Sequence, residues 1–362
     1  TFIVSDYVAD LSIFADDVDY EKWNPALMSM ANYSGVQAAI PNKYFTSGVY
    51  INKTLLEQNN IDMPPLNWSM ADMTNIIVDL AATGGDLRGC AWPIWNGIFA
   101  TPSGMYRNIR DGNDFDFGDP ENIQIHEFRH TQFQYSNDYL KDIDEKDYWF
   151  DSGKVGIMDD MSWGIGWYAK EVNDGEGLGF EWDYYPLPSL NPSGVQYQLA
   201  IADFISVANI AMTDGDRAIS ATEKEKLTAA YVLLKYLSID EEGYLAALDL
   251  GFNSLPVFES QSATNAFLDA YGISQKPGFQ RVMELMNDSE AMVVEPNKFR
   301  PGVGGAVWDQ YFNLVLTNEM MAGADYVANI QQKAADMNTQ AAAAIADAQA
   351  ALTQALKDQY GV

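Results

Sequence analysis

The residues most suggestive of chemistry are His126-Glu127-Phe128-Arg129-His130, an H-E-x-x-H pattern in a stretch that reads as helix. On a helix the two imidazoles lie one turn apart on one face. Zinc peptidases hold their metal with that spacing and use the glutamate as general base. Three features oppose that chemistry. Arg129 places a cation beside the metal position, Gln132 stands where an apolar residue usually buries the helix, and the chain has only 2 histidines. A third ligand would have to be a carboxylate, and no second motif marks one. The expected role of the segment is an exposed polar face, shared by Glu127, Arg129, Gln132 and Gln134, on a peripheral helix.

Other constellations are weaker. Asp111, Asn113, Asp114, Asp116 and Asp119 resemble a calcium loop, but the EF-hand glycine and the closing glutamate are missing, so a solvated acidic loop is expected over 111–119. The run Asp142, Asp144, Glu145, Asp147 reads the same way. Gly302-Val-Gly-Gly305 lacks the lysine and preceding strand of a phosphate loop, Gly164-Ile-Gly166 is too short for a dinucleotide fingerprint, and no G-x-S-x-G elbow exists. Hydrolase and kinase chemistry find no support, and nothing calls for a cofactor.

Aromatic residues carry a stronger signal. The chain holds 9 Trp, 20 Tyr and 17 Phe, and many fall in loops beside small and polar residues rather than in periodic core stripes. Trp92 and Trp95 flank Pro93, with Asn96 following. Trp163 and Trp167 bracket Gly-Ile-Gly just after Asp159 and Asp160. Trp308 follows Gly304-Gly305. Aromatic faces beside carboxylates and amides suit sugars: the rings stack on C–H faces while the polar groups bond hydroxyls.

Composition sets the frame for these residues. At 362 residues the chain is long enough for about two domains. Hydrophobic residues make up 48%, which supplies a sizeable core and rules out disorder. The net charge of −30 repels phosphate backbones and anionic lipid, so nucleic acid is excluded as a partner. The 1 cysteine, Cys90, allows no intrachain disulfide and no cysteine-based metal site. No uncharged apolar run reaches the ~18 residues that span a bilayer. The chain opens in an apolar run, Thr1-Phe-Ile-Val4, that enters a polar loop at Ser5-Asp6-Tyr7. This reads as a core strand, with the expectation that further sequence precedes it.

Strands and helices alternate. Residues 38–53 are β-rich, and a short helix over 55–60 ends before Pro64-Pro65. Ser69 caps a helix over about 70–82, with Met70, Met73, Ile76, Ile77 and Leu80 at helical spacing. Residues 92–99 form a strand or aromatic loop, and Pro120 starts a helix over about 120–141. A buried strand spans 154–158, and residues 159–167 leave it. Residues 184–188 are extended, 199–211 form an apolar strand, and helices follow over 222–237, 240–250 and 278–286. Residues 252–258 are extended. Long helices are expected over 308–321 and 324–359, the second Ala-rich but carrying a packed face. Alternation of this kind predicts an α/β fold with mostly parallel sheets flanked by helices.

The ordered set of motifs resembles the maltose-binding-protein-like solute-binding proteins of ABC importers, family 1, over nearly the whole chain. Tyr44-Phe-Thr-Ser-Gly-Val-Tyr-Ile-Asn-Lys-Thr-Leu-Leu-Glu57 is similar to that family's first crossover between lobes. Met63-Pro-Pro-Leu-Asn-Trp68 matches the proline stretch that follows it. Gly153-Lys-Val-Gly-Ile-Met158 with Ser162-Trp163 resembles its "GKVAM" strand and tryptophan loop. Asn253-Ser-Leu-Pro256 and the segment from Arg300 to Trp308 resemble its later signatures. Phe2-Ile-Val-Ser-Asp6 is similar to the third strand of the family's first lobe, so the start of that lobe is expected to be absent here.

The resemblance implies a two-lobed, hinged periplasmic-binding-protein-like fold of type II. Lobe one would comprise 1–46 and 204–295, and lobe two 47–203 and 296–362. It implies a non-enzymatic, monomeric receptor that closes on a mono- or oligosaccharide and presents it to ABC permease subunits. Such a receptor is extracellular, either lipid-anchored on the cell surface or periplasmic. Carried over by position, Trp163 and Trp308 are stacking aromatics, and Trp92, Trp95 and Asn96 form an aromatic wall. Asp6 bonds hydroxyls, Tyr44 and Phe45 line the hinge side, and Arg300 reaches the cleft. Asp159 and Asp160 depart from the family's small or polar residues, and Asp160 is taken as a further hydroxyl ligand. The acidity keeps a polyamine or other cationic solute as the alternative cargo, and a zinc hydrolase on His126, Glu127 and His130 as a more distant one.

Overall fold

The structure, a computed structural model, describes residues 7–95, 97, 116–136, 149–171, 177–192, 194–208, 221–294 and 321–361. Its organising element is one strand, β3 (Ile40–Asn52), which is 13 residues long and buried along nearly its whole length. The Thr-Ser-Gly centre lets it continue between two sets of partners. Residues 40–46 pair antiparallel with β7 (Gln198–Ile205), and β7 pairs in parallel with β8 (Met292–Val294). The distal half pairs antiparallel with β5 (Val155–Met161) on one edge and β6 (Trp182–Tyr185) on the other. β5 in turn pairs in parallel with β4 (Arg88–Cys90). A two-residue hairpin, β1 (Asn32–Tyr33) with β2 (Val36–Gln37), lies apart. The α/β character is as expected, and among the described residues the sheets hold antiparallel as well as parallel pairs. A strand that serves both halves of the chain runs against β5, β6 and β7 alike, and the parallel pairs lie outside it.

Local chemistry explains most helices. α1 (Pro25–Ser29) and α2 (Lys53–Gln58) begin at the asparagine caps Asn24 and Asn52. α3 (Met70–Ala82) begins at a reciprocal capping box between Ser69 and Asp72, and its Met70, Met73, Ile77 and Leu80 stripe is buried. α4 (Pro120–Phe133) starts with Pro120 behind the Asp119 cap and stops at Phe133, short of residue 141. The carboxylates of the acidic loop that fall among the described residues are thus already engaged. Asp119 caps α4, and Asp116 accepts from Gly118 N and Asn338 Nδ2. The rest of that loop, and the 142–147 run, lie outside the described residues.

After the three-residue α5 (Gly164–Gly166) come α6 (Ala221–Ser238), α7 (Glu241–Asp249), α8 (Gln261–Ala270), α9 (Pro277–Met286) and α10 (Tyr326–Tyr360). α10 has 35 residues and is therefore roughly 52 Å long. Its first half packs on α4 and buries Tyr326, Ile330, Ala334 and Met337 in the core that α3 and α4 share. Its far end seats Leu356 on Val8, Val36 and Ala38, where Tyr360 Oη donates to the Val8 carbonyl at 2.9 Å.

Strand alternation divides the interior into two large cores. Val49, Ile51 and Ile157 face one with α3, α4 and α10, whereas Tyr50 and Met158 face the other with Tyr168, Trp182 and Tyr184. No helix among the described residues is long and apolar enough to cross a membrane.

Candidate functional site

The ladder between β3 and β5 extends three residues past the expected strand end, through Val49↔Asp159, Gly48↔Asp160 and Ser47↔Met161. Asp159 and Asp160 therefore sit in a strand and point to opposite faces. Asp159 is buried, and its Oδ2 accepts the backbone N–H of Trp95 while its carbonyl accepts Trp92 Nε1 at 2.7 Å. Its carboxylate is built into the protein rather than offered to solvent.

Asp160 is half-buried. Burial, with a further contribution from the charge of Asp159, pushes its carboxyl up to about 6. Hydrogen bonds from Met161 N, at 2.7 Å, and from Trp163 oppose that rise. A ligand hydroxyl reaching Asp160 would meet an acceptor that is ionised at neutral pH and whose charge is poorly solvated.

The turn after β5 is tied to the crossing strand. Ser162 N donates to the Thr46 carbonyl at 2.8 Å, and Thr46 N donates to Ser162 Oγ at 3.1 Å. This places Trp163, 42% exposed, edge-on to Phe45 with ring centroids 5.8 Å apart. Asn253 Nδ2 donates to the Trp163 carbonyl at 2.7 Å from a segment 90 residues away in sequence.

Trp92 and Trp95 are half-buried and reach the same end of β5 through Asp159. Trp149, exposed at 53%, extends the aromatic surface, standing edge-on to Trp92 at 6.4 Å. The carboxyl end of β5 thus gathers Trp92, Trp95, Asp159, Asp160 and Trp163, with Phe45 against the last. Crevices at the carboxyl ends of strands, where topology switches direction, are where α/β proteins take ligands.

Tyr44 behaves differently. It lies on the opposite face of β3 from Phe45, buried, with its hydroxyl 3.5 Å from Met292 Sδ. There it lines a separate cavity of about 540 Å³ with Leu255, Phe258, Phe279 and Met283, and none of the β5-end tryptophans borders that cavity. Asp6, Asn96, Arg300 and Trp308 lie outside the described residues. Trp149 escapes the sequence reading, and Asn253 enters it only as part of a motif and not as a site residue. Trp149 carries no motif, and the bond of Asn253 is made across the chain rather than within it.

The H-E-x-x-H helix requires a correction. Its polar face is only half exposed: Glu127 and Gln134 face solvent as expected, but α3 and α10 pack on α4, leaving His126 and Gln132 fully buried and Arg129 2% exposed. Polar side chains read as solvated are instead hydrogen-bonded inside. His126 Nδ1 lies 3.1 Å from Tyr326 Oη, and burial, with the nearby Arg129 charge, holds the imidazole well below its usual pKa, so it is neutral. His130 stacks on Tyr326 and sets Nδ1 2.7 Å from the Met321 carbonyl. Glu127 is on the exposed side. Both imidazoles are thus occupied by α10 and the turn before it, away from the glutamate. Among the described residues no group of three or more His, Cys, Asp or Glu could hold a metal ion.

Comparison with known proteins gives the class of fold. No protein-family model matches the chain, and no curated protein matches it in sequence. Solved structures do. An ABC substrate-binding protein, Lmo0181 from Listeria monocytogenes, in complex with cycloalternan, is 15% identical, with 98% of this chain and 82% of that one covered and a TM-score of 0.62. An ABC transporter solute-binding protein from Thermotoga lettingae, bound with α-D-tagatose, is 11% identical over 94% of this chain and 82% of that one, with a TM-score of 0.65. The cyclic α-maltosyl-1,6-maltose binding protein of Arthrobacter globiformis is 18% identical over 98% and 83%, with a TM-score of 0.60. At these identities the likeness defines the architecture, a two-lobed, periplasmic-binding-protein-like α/β fold.

Proposed function

We propose that this chain is a carbohydrate-binding receptor that delivers its sugar to an ABC importer by hinge closure. The observation that carries the reading is the carboxyl end of β5, where the open Trp163 and the half-buried Asp160 stand beside the crossing strand and two further indoles are tied to the same strand end through Asp159. Stacking rings near a hydroxyl acceptor are the chemistry of a sugar site. The cargo of the structural neighbours, cycloalternan, tagatose and a cyclic maltosyl-maltose, supports the same class. Asp160, Trp163, Trp92 and Trp95 are the ligand residues, with Phe45 supporting Trp163. In this reading lobe one comprises 1–46 and 204–295, lobe two comprises 47–203 and 296–362, and β3 is one of the crossing strands of the hinge. The receptor is a non-enzymatic monomer, extracellular and lipid-anchored or periplasmic, and its closed form docks on the permease. Ligand drives closure only by its preference for the closed state.

A cationic cargo is disfavoured because such clefts need several free carboxylates, and Asp159 is committed to the Trp95 amide. Thermal-shift screening of the protein against cycloalternan, D-tagatose, linear malto- and manno-oligosaccharides and spermidine tests the reading, since a ligand of the folded state raises stability by mass action. A shift with a sugar, and a smaller radius of gyration by small-angle scattering at saturation, is the expected result. A shift with spermidine alone replaces the cargo, and an unchanged scattering profile removes the hinge.

A further inference from the structure

The polar residues of α4 that make no metal site converge on the backbone of one residue of the aromatic loop, Ile94. The Ile94 carbonyl accepts from Arg129 Nη1, and the next amide, Trp95 N–H, donates to Asp159 Oδ2. The Ile94 N–H donates to Gln132 Oε1 at 2.9 Å, and Gln132 Nε2 donates onward to Thr74 Oγ1 of α3 at 3.0 Å. Trp92 Nε1 donates to the Asp159 carbonyl at 2.7 Å. The Arg129 guanidinium carbon lies 5.8 Å from the Trp95 ring centroid.

A buried cation and a buried anion are costly unless each makes strong bonds. Here both direct charge-assisted hydrogen bonds at the same stretch of main chain, from opposite elements. Past Ala91, whose N–H donates to the Ile157 carbonyl at 2.9 Å, residues 92–95 carry no regular ladder or helix of their own, and these side chains hold the loop.

We propose that Arg129 and Asp159 are positioning residues for the ligand site. By gripping the two ends of the Ile94–Trp95 peptide they set the plane from which the Trp92 and Trp95 rings are presented. The inference rests on the reading of the β5 end as the ligand site, and its test separates the two.

The full chain is labelled with 5-fluorotryptophan, and the Trp92 and Trp95 resonances are assigned by Trp92→Phe and Trp95→Phe. In Arg129→Met and Asp159→Ala those two resonances should shift or broaden while those of the core residues Trp23 and Trp68 stay. D-Tagatose or cycloalternan, whichever the unmodified protein binds, should bind tenfold or more weakly at unchanged stoichiometry. Asp159→Asn keeps an acceptor for the Trp95 amide and should restore both readouts. Arg129→Lys keeps a buried donor and should give smaller shifts, which covers a failure of Arg129→Met to fold. A merely structural role would lower melting temperature and the active fraction, leaving the dissociation constant of the folded molecules and both resonances in place. That result overturns the proposal. Shifted resonances in a protein that binds none of the sugars of the thermal-shift panel would overturn the ligand reading, and with it the assignment of these residues to a ligand site, while leaving the grip on the loop established.

Discussion

Trp163 stands edge-on to Phe45, their planes at 74°, at the point where the turn after β5 meets the strand shared by both sheets. An open ring at the end of β5 is thus braced by a residue of the crossing element itself. Phe45 is buried and Trp163 is not, so the pair joins a structural ring to a working one.

This asymmetry predicts different outcomes for the two rings. Trp163→Ala should weaken sugar binding by ~1.5–4 kcal/mol in titration calorimetry, the range for an aromatic anchor, and cost at most about 1 kcal/mol of stability. Phe45→Ala should lower stability by about 3 kcal/mol, because a buried ring is lost. Unchanged affinity in Trp163→Ala would remove that residue from the site.

The histidines of α4 give the opposite of what their polarity suggests. An exposed pair could be replaced within ~0.5 kcal/mol, whereas the buried His126 and the stacked His130 should cost about 2–4 kcal/mol when both become alanine. His126 is held neutral, well below its usual value, so its contribution is present above about 6.5 and lost as pH falls, since the unfolded chain then binds the extra proton. Denaturant melts at pH 8 and pH 5 check this: His126→Ala should differ from the unmodified protein by less at the lower pH. A zinc-dependent peptidase activity abolished by the double change would overturn the reading of the chain as a receptor.

Much of the architecture was legible in residue order because its signals are local. The limits of α3 follow from the Ser69 cap and the spacing of Met70, Met73, Ile77 and Leu80. The starts of α4 and α9 follow from Pro120 and Pro277. What was illegible depends on partners far along the chain. Asp159-Asp160 reads as a loop until Ser47–Val49 supplies a ladder, and Arg129 and Gln132 read as solvated until α3, α10 and the 92–95 loop enclose them. The aromatic loop and Trp163 stood out by their small and polar neighbours in sequence. Their convergence on β5, and the parts played by Asn253 and Trp149, required the fold.

Asp160 offers a pH test. Its folded-state value is raised to about 6 from 3.8, so between those values the native protein holds a proton that the unfolded chain releases. The associated stability is present below about 3.8 and lost as pH rises through 6. Asp160→Asn removes this dependence. Its melts should be flatter than those of the unmodified protein from pH 4 to pH 6, and above pH 6 the variant should be the more stable by up to about 3 kcal/mol. The same change should reduce sugar affinity at pH 7, where the carboxylate accepts a hydroxyl. Equal pH profiles would mean that Asp160 titrates as an exposed acid.

Gly48 faces Asp160 in the β3–β5 register, and a Cβ added there would lie 2.4 Å from Tyr184 Cζ and 2.8 Å from its hydroxyl. That hydroxyl lies 2.8 Å from the Thr46 carbonyl and 3.1 Å from the Asp160 carbonyl, bridging the two strands that hold Trp163 in place. Glycine is therefore required by close approach rather than by backbone conformation. Gly48→Ala must push the Tyr184 ring aside, which should cost about 1–3 kcal/mol for the clash with more for the broken bridge. Tyr184→Phe loses only the bridge and should cost about 0.5–1.5 kcal/mol. If the clash is with the ring itself, Gly48→Ala combined with Tyr184→Ala should be markedly less destabilising than the sum of the two single changes, because the second removes what the first collides with. A urea-melt cycle on the three variants measures that coupling. Strict additivity would show that the ring does not press on Gly48, and that the bridge, rather than the fit of the ring over the glycine, holds β3 to β5 at the site.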